Sequence, residues 1–410
     1  MLIEQRNMWN YVYWGVNLQN KKFSSLSFAV LVFGFCLAQI SSSIFLPAMI
    51  LAAAGLHQTV QEIQYALTFF FLGYGIAQFF WGAISDFYGR KKVFFVAFSI
   101  YIVACFAVSL TRVAWLFFSM YTIVGLAAAC FTSVGNATIR DVYEKTEVPK
   151  KIALVGIFMA ASPVIGAGLG AVLINFFTWQ SVFVAIALAA LLSFVFYLQL
   201  VPETYITKQQ HQTERFWLRV CSLFSNRLFM CSVAGLSVSF GAFIGFLNAA
   251  PALFSEFFSL NQDQSGWLLT GCSFSYFLGA YAVYFLIKRR SIDLMMRFFM
   301  LLFLGASVML ISIALLNAVE HVFEIGCFVL GLFALGALVP LTKSSCMLSS
   351  GSYPGLTASM MKGLQTLSAV LFSALVAFIG SSALQSLAAI WVVCGLLFLV
   401  PLSFFPRLDS

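Results

Sequence analysis

The chain has 410 residues, of which 62% are hydrophobic and only 9% charged, against about 25% charged in a soluble domain. That excludes a soluble enzyme or binding domain and places the chain in a membrane. The net charge of +8 is not a nucleic-acid footprint, because the bases are spread over short segments between apolar runs, where they set orientation.

The N-terminus, Met1 to Lys22, is polar and aromatic and lacks the apolar core of a cleavable signal, so the first apolar run is expected to insert uncleaved. Runs bounded by charge, Pro or Gly predict twelve transmembrane helices, at about 26–50, 61–83, 93–111, 113–137, 152–174, 179–201, 229–252, 265–287, 296–317, 323–348, 356–379 and 384–405. The one long connection, 202–227, is polar. It separates a six-helix bundle at 26–201 from a second at 228–405, with tails at 1–25 and 406–410. The predicted class is therefore an all-α integral membrane protein. All of the 22 basic residues fall in the tails or in segments on one side of the membrane, except Arg112, Lys343 and Lys362. This asymmetry predicts a multi-pass protein with both termini in the cytoplasm.

Enzymatic motifs are missing from the sequence: it has no H-E-x-x-H, phosphate-binding loop or nucleophile elbow. His57, His211 and His321 fall in loops. The nine Cys show no C-x-x-C spacing and read as small apolar packing residues. Neither a metal site nor a cofactor is expected.

Between the second and third runs lies Gly82-Ala-Ile-Ser-Asp86-Phe-Tyr-Gly89-Arg90-Lys91-Lys92. Its two glycines allow a sharp turn and close approach of helix ends. Asp86 can pair with Arg90 or with a helix N-terminus. The pattern G-x-x-x-D-x-x-G-R-K resembles the loop motif between the second and third helices of the major facilitator superfamily, matched at Gly82, Asp86, Gly89, Arg90 and Lys91. The fifth run resembles the G-P-x-x-G-G signature of that superfamily's antiporters at Ser162, Pro163, Gly166 and Gly168, with Ser162 in the first Gly position. Phe45-Leu46-Pro47-Ala48, Arg140-Asp141, Pro202-Glu203-Thr204, Ala250-Pro251 and the stretch Gly355 to Gln365 are similar to drug exporters of the bicyclomycin/chloramphenicol-resistance type. The resemblance implies two pseudo-symmetric six-helix halves, alternating access, and helices one, four, seven and ten around a central cavity. It further implies a monomer in the bacterial inner membrane, surrounded by lipids. Its partners would be a small-molecule substrate and protons, and its activity multidrug-type efflux by antiport.

Polar side chains within apolar runs are costly unless used. Those expected at a substrate cavity are Gln39, Ser43, Tyr121, Asn136, Asn248, Lys343, Lys362 and Gln365. The chain departs from the antiporter pattern at its charges. Tyr121 and Val124 stand where the resembled R-x-x-Q-G-x-G motif has Arg and Gln, and Ser43 stands where an acid is usual. None of the 14 acids is predicted at mid-depth, so proton coupling by a buried carboxylate is not expected. The two lysines either snorkel to the headgroups or face the cavity and attract an anion. The alternative function is accordingly transport of an anionic metabolite or metal chelator without conventional proton coupling, and a third reading is a non-transporting receptor or scaffold.

Overall fold

The computed structural model describes residues 23–144, 147–204, 221–286, 290–316, 321–348, 354–379 and 383–404. The N-terminal tail up to 22, most of the inter-half connection (205–220) and the C-terminal tail from 405 lie outside the described residues.

The described chain is helical throughout its length, in the order α1 (Ser25–Gly55), α2 (Val60–Tyr88), α3 (Arg90–Leu110), α4 (Ala114–Val142), α5 (Val148–Phe176), α6 (Ser181–Leu200), α7 (Arg227–Ala252), α8 (Gln262–Leu286), α9 (Ile292–Leu316), α10 (His321–Leu348), α11 (Pro354–Ile379) and α12 (Ala383–Phe404). Eleven are long and apolar enough to cross a bilayer, and α12 contributes the shorter apolar stretch Leu384–Leu399. Ser24 caps α1 and Thr59 caps α2, each in a reciprocal capping box, and Asn226 caps α7. Pro47, which has no N–H to donate, marks a 3-10 turn at Leu46–Ala48 inside α1. After Pro251, α7 loosens into a π-helical turn at Leu253–Phe257.

The surface is the inverse of a soluble protein's. Val103, Leu192, Phe298 and Leu371 are exposed, whereas Ser43, Thr138, Asn248 and Ser373 are fully buried. Lipid tails accept the first group, and the second must find partners inside the bundle.

Each half is pinned by a pair of glycines. α2 crosses α4 with Gly73 against the Thr122 carbonyl and Gly125 against the Phe70 carbonyl; a Cβ on either glycine would stand 2.1 Å from that oxygen. α8 crosses α10 in the same way: a Cβ on Gly279 would stand 2.0 Å from the Phe333 oxygen, and one on Gly336 1.9 Å from the Tyr276 oxygen. Backbone contact this close is available only to glycine and adds dispersion and weak Cα–H···O contacts. The second and fourth helices of one half thus meet as the second and fourth of the other do, which is what two parallel copies of one six-helix unit produce.

Gly125→Val and Gly336→Val should each force a crossing apart, at a cost of about 1–3 kcal/mol or more, and lower the thermal midpoint of the purified protein by several degrees. Gly305→Val is the control, because a Cβ there meets nothing within 4 Å. Equal midpoints in all three variants would refute the role given to the crossings.

Candidate functional site: the cleft between the halves

The charged turn is tighter than its sequence implies. α2 continues through Asp86 to Tyr88 and α3 begins at Arg90, so Gly89 alone makes the corner, with φ of +93°. Only glycine takes that conformation without strain. α3 starts at once, and its first N–H groups have no helical acceptor. Glu203, just past α6, supplies one: Oε1 accepts the Arg90 N–H at 2.9 Å and Oε2 the Lys91 N–H at 3.1 Å. Its negative charge also faces the positive end of the α3 dipole. A Cβ on Gly89 would stand 2.9 Å from that carboxylate, so the glycine and the acid are fitted to each other. The Arg90 side chain is nearly buried. Its Nε donates to Asp141 Oδ2 at 2.9 Å, and Nη1 pairs with Asp86 Oδ1 at 2.6 Å and with the Ser85 hydroxyl. Lys91 Nζ donates to the Leu198 carbonyl at 2.8 Å. The turn therefore ties α2, α3, α4 and the end of α6 into one body.

The two halves meet along two seams, α2 against α11 and α5 against α8. On the first, Gln61 Nε2 donates to the Ala377 carbonyl at 3.0 Å, Gln64 Nε2 to the Asn248 carbonyl at 3.2 Å, and Thr68 Oγ1 to Ser373 Oγ at 2.9 Å. Asn248 Nδ2 reinforces this by donating to the Ser373 carbonyl at 3.0 Å and to its Oγ at 3.1 Å. Further along, Gly75 lies on Thr366 and Gly363 on the ring of Phe79. On the second seam Gly168 faces Thr270 and Gly266 faces Ala171. The hydrogen-bonded part of the contact gathers at the end of the bundle opposite the Arg90 turn.

The glycine-rich segment of α5 is two-sided. A Cβ on Gly166 would stand 2.0 Å from Ser43 Oγ of α1, and one on Gly170 would stand 2.2 Å from the Ile44 oxygen, whereas Gly168 points to α8. One face holds α5 to its own half and the other lies along the partner half. Ser162 returns its hydroxyl to the Phe158 carbonyl at 2.8 Å, one residue before Pro163.

The other sequence-predicted residues divide into three groups. Ser43 and Tyr121 lie inside the first half: Tyr121 is fully buried among Phe45, Phe70, Phe117 and Phe183, and its hydroxyl donates to the Ser41 carbonyl at 2.7 Å. Asn248 belongs to the seam. Gln39 and Asn136 are half-buried and make no side-chain hydrogen bond among the described residues. Lys343 and Lys362 are half-buried too, and Lys362 Nζ stands 3.4 Å from Gln365 Oε1 and 5.5 Å over the ring of Phe240.

Residues 31–373 match the family model described as Major Facilitator Superfamily. The chain belongs to the Major Facilitator Superfamily. It is a multi-pass membrane protein of that family. It is similar to the multidrug resistance protein MdtM of Escherichia coli K12, 26% identical over 240 residues that cover 58% of each chain. It is also similar to the chloramphenicol resistance protein CraA of Acinetobacter baumannii, 26% identical over 238 residues covering 58% of this chain and 57% of that one. A bicyclomycin resistance protein homolog of Haemophilus influenzae is 24% identical over 232 residues, 54% of this chain and 56% of the relative. The chain spans a little over half the length of the curated relatives it matches. In fold it is similar to the xylose transporter XylE from E. coli in a partially occluded inward-open conformation, with a TM-score of 0.74 over 94% of this chain and 98% of that one at 10% identity. A bacterial homolog of the human lysosomal transporter Spinster, inward-facing and unoccupied, superposes with a TM-score of 0.69 over 94% and 96% at 12% identity.

Within this superfamily member, sequence reasoning missed Gln61, Gln64, Thr68 and Ser373 at the seam, Phe240 beside Lys362, and the capping role of Glu203. Glu203 had a signal, an acid in a helix-exit triplet close to an inner-end turn. The seam residues had none beyond being polar in apolar runs.

Two acids share Arg90, and their burial predicts unequal effects. The Asp86 side chain is 61% exposed and that of Asp141 only 19%. Asp86→Asn should change stability by well under ~1 kcal/mol, as exposed i,i+4 pairs do. Asp141→Asn removes the buried charge that faces a nearly buried guanidinium, leaving it the exposed Asp86 and the Ser85 hydroxyl, and should cost about 1–3 kcal/mol. Thermal midpoints of the two purified variants give the comparison, and a larger loss in Asp86→Asn would contradict this account of the turn.

Proposed function

We propose that this transporter is a secondary active exporter of small organic molecules that works by alternating access in the bacterial inner membrane. The observation that carries the reading is the hydrogen-bonded seam between the halves at the end opposite the Arg90 turn. The positive-inside rule puts that turn and both termini in the cytoplasm. The seam then closes the external end, and the cleft between the halves faces inward. Direct inter-half hydrogen bonds contribute about 0.5–1.5 kcal/mol each. The three formed by Gln61, Gln64 and Thr68 can therefore break within the few kcal/mol that separate two populated states, a gap that differential substrate affinity can bridge. The resistance phenotypes in the relatives' names favour export over uptake.

Coupling by a mid-depth carboxylate finds no support in the described residues. Glu62 caps α2, Asp86, Asp141 and Glu203 serve the turn, Asp293 pairs with Arg297 at 3.1 Å, and Glu324 lies 3.2 Å from His321 near the start of α10. All of these are at helix ends.

The reading is tested by transport into membrane vesicles with a panel of fluorescent molecules of positive, neutral and negative charge. Everted vesicles should accumulate at least one of them above vector controls, and uptake confined to right-side-out vesicles would contradict export. The seam gives a second test. In a cysteine-free background, Thr68→Cys with Ser373→Cys should form a disulfide across the halves and stop transport, and a reductant should restore it. Undiminished transport in the cross-linked protein would show that the seam does not open.

A further inference from the structure

Lys343 of α10 and Lys362 of α11 place two ammonium groups inside the membrane, and no carboxylate pairs with either among the described residues. An ammonium within a span costs about 2.5–3.5 kcal/mol at the helix centre. A lysine commonly escapes that cost by snorkelling to the nearby headgroups. The Lys362 ammonium instead stands 3.4 Å from Gln365 Oε1 and 5.5 Å over the Phe240 ring. Phe240 occupies the middle of the 26-residue α7, so the charge sits deep in the bundle.

Lys343 comes from the neighbouring helix α10, which packs against α11. Two like charges in a poorly polarisable setting repel strongly. One side-chain amide and one ring face offset only a fraction of that, the ring contributing about 0.5–2 kcal/mol. Lys362 also adjoins the seam. Gly363 and Thr366, which follow Lys362, lie against Phe79 and Gly75 of α2, and Phe240 packs edge-on to Phe71 of α2 at 6.3 Å. Helices α7 and α11 of one half thus bring a cation without a carboxylate partner among the described residues, an amide and an aromatic face to the line where the halves part, and α10, packed on α11, carries a second.

We propose that Lys343, Lys362, Gln365 and Phe240 form the substrate site and that its ligand is a small organic dianion bearing two carboxylates, with its apolar part against Phe240. This deepens the exporter reading and rests on it. Each carboxylate neutralises one ammonium, and the ligand removes the repulsion that the empty site carries. Binding between the halves gives such a dianion different contacts in the two states, which alternating access requires. Lipophilic cations, by the same argument, are repelled.

The test uses the purified full chain with phthalate and succinate as probes, tetraphenylphosphonium as the cationic comparison and sodium chloride at matched ionic strength. Phthalate or succinate should raise the thermal midpoint saturably, and tetraphenylphosphonium should not. Lys343→Met and Lys362→Met should each weaken that binding at least tenfold, and Lys362→Arg should retain part of it, since charge is kept but shape is not. Size-exclusion profiles establish that the variants fold; should Lys362→Met not fold, Lys343→Met and Lys362→Arg carry the comparison. No response of the wild type to either dicarboxylate, or an equal response in the Lys343→Met/Lys362→Met double variant, would overturn the site. Transport of cationic or neutral dyes unchanged by loss of both lysines would also overturn it and leave the exporter reading in place. Lysine-dependent binding without transport of any probe would keep the site and overturn the exporter reading.

Discussion

In hydrocarbon a hydroxyl has no water to turn to, and many hydroxyls among the described residues turn back on their own helix. Thr138 donates to the Val134 carbonyl, Ser239 to Gly235 and Ser307 to Phe303, each one helical turn back. Backbone groups at helix ends face the same constraint. It explains why Glu203 covers the first N–H groups of α3 and why Gly89 leaves room for that carboxylate. What remains after this local satisfaction is a short list of polar groups that bridge helices. Those that bridge the two halves, at Gln61, Gln64, Thr68, Asn248 and Ser373, are concentrated at one end. Among the described residues no carboxylate pairs with the ammonium groups of Lys343 and Lys362.

Much of the architecture was readable in the residues. Apolar run length gave the helices, and the polar stretch at 202–227 divided them into two sets of six. The turn motif was visible as charges between uncharged runs, although its extent was not. Gly82 to Tyr88 read as loop, yet they continue α2, because a glycine at the end of an apolar helix gives no sign of whether the helix stops there or at the next one. The repeat was also present in the sequence: Phe70-Phe71-Leu72-Gly73 of α2 and Tyr276-Phe277-Leu278-Gly279 of α8 differ in one ring hydroxyl and make the same crossing.

The polar interior was harder. A hydroxyl or amide in an apolar run has the same appearance whether it bonds its own helix, a neighbour or a substrate. Tyr121 looked like a cavity residue because it is polar and lies in the fourth predicted span, which lines the cavity in the resembled family, but aromatic packing seals it within the first half. Thr68 and Ser373 are ordinary in sequence and meet only because α2 and α11 do. Charge was the more legible signal. Lys343 and Lys362 stood out as the basic residues within predicted spans, and only the Phe240 ring beside the Lys362 ammonium distinguishes a headgroup contact from a site.

The proposed transport mechanism needs a cleft that opens toward the basic face, which the proposal puts in the cytoplasm, while the opposite end is held shut. Single cysteines at Asn136 and Ser344, one on each half, placed in a cysteine-free background and exposed to a membrane-impermeant thiol reagent, test it directly. The account predicts that both label rapidly in everted vesicles and are protected in right-side-out vesicles. Labelling from the external side alone, or from neither side, would contradict it.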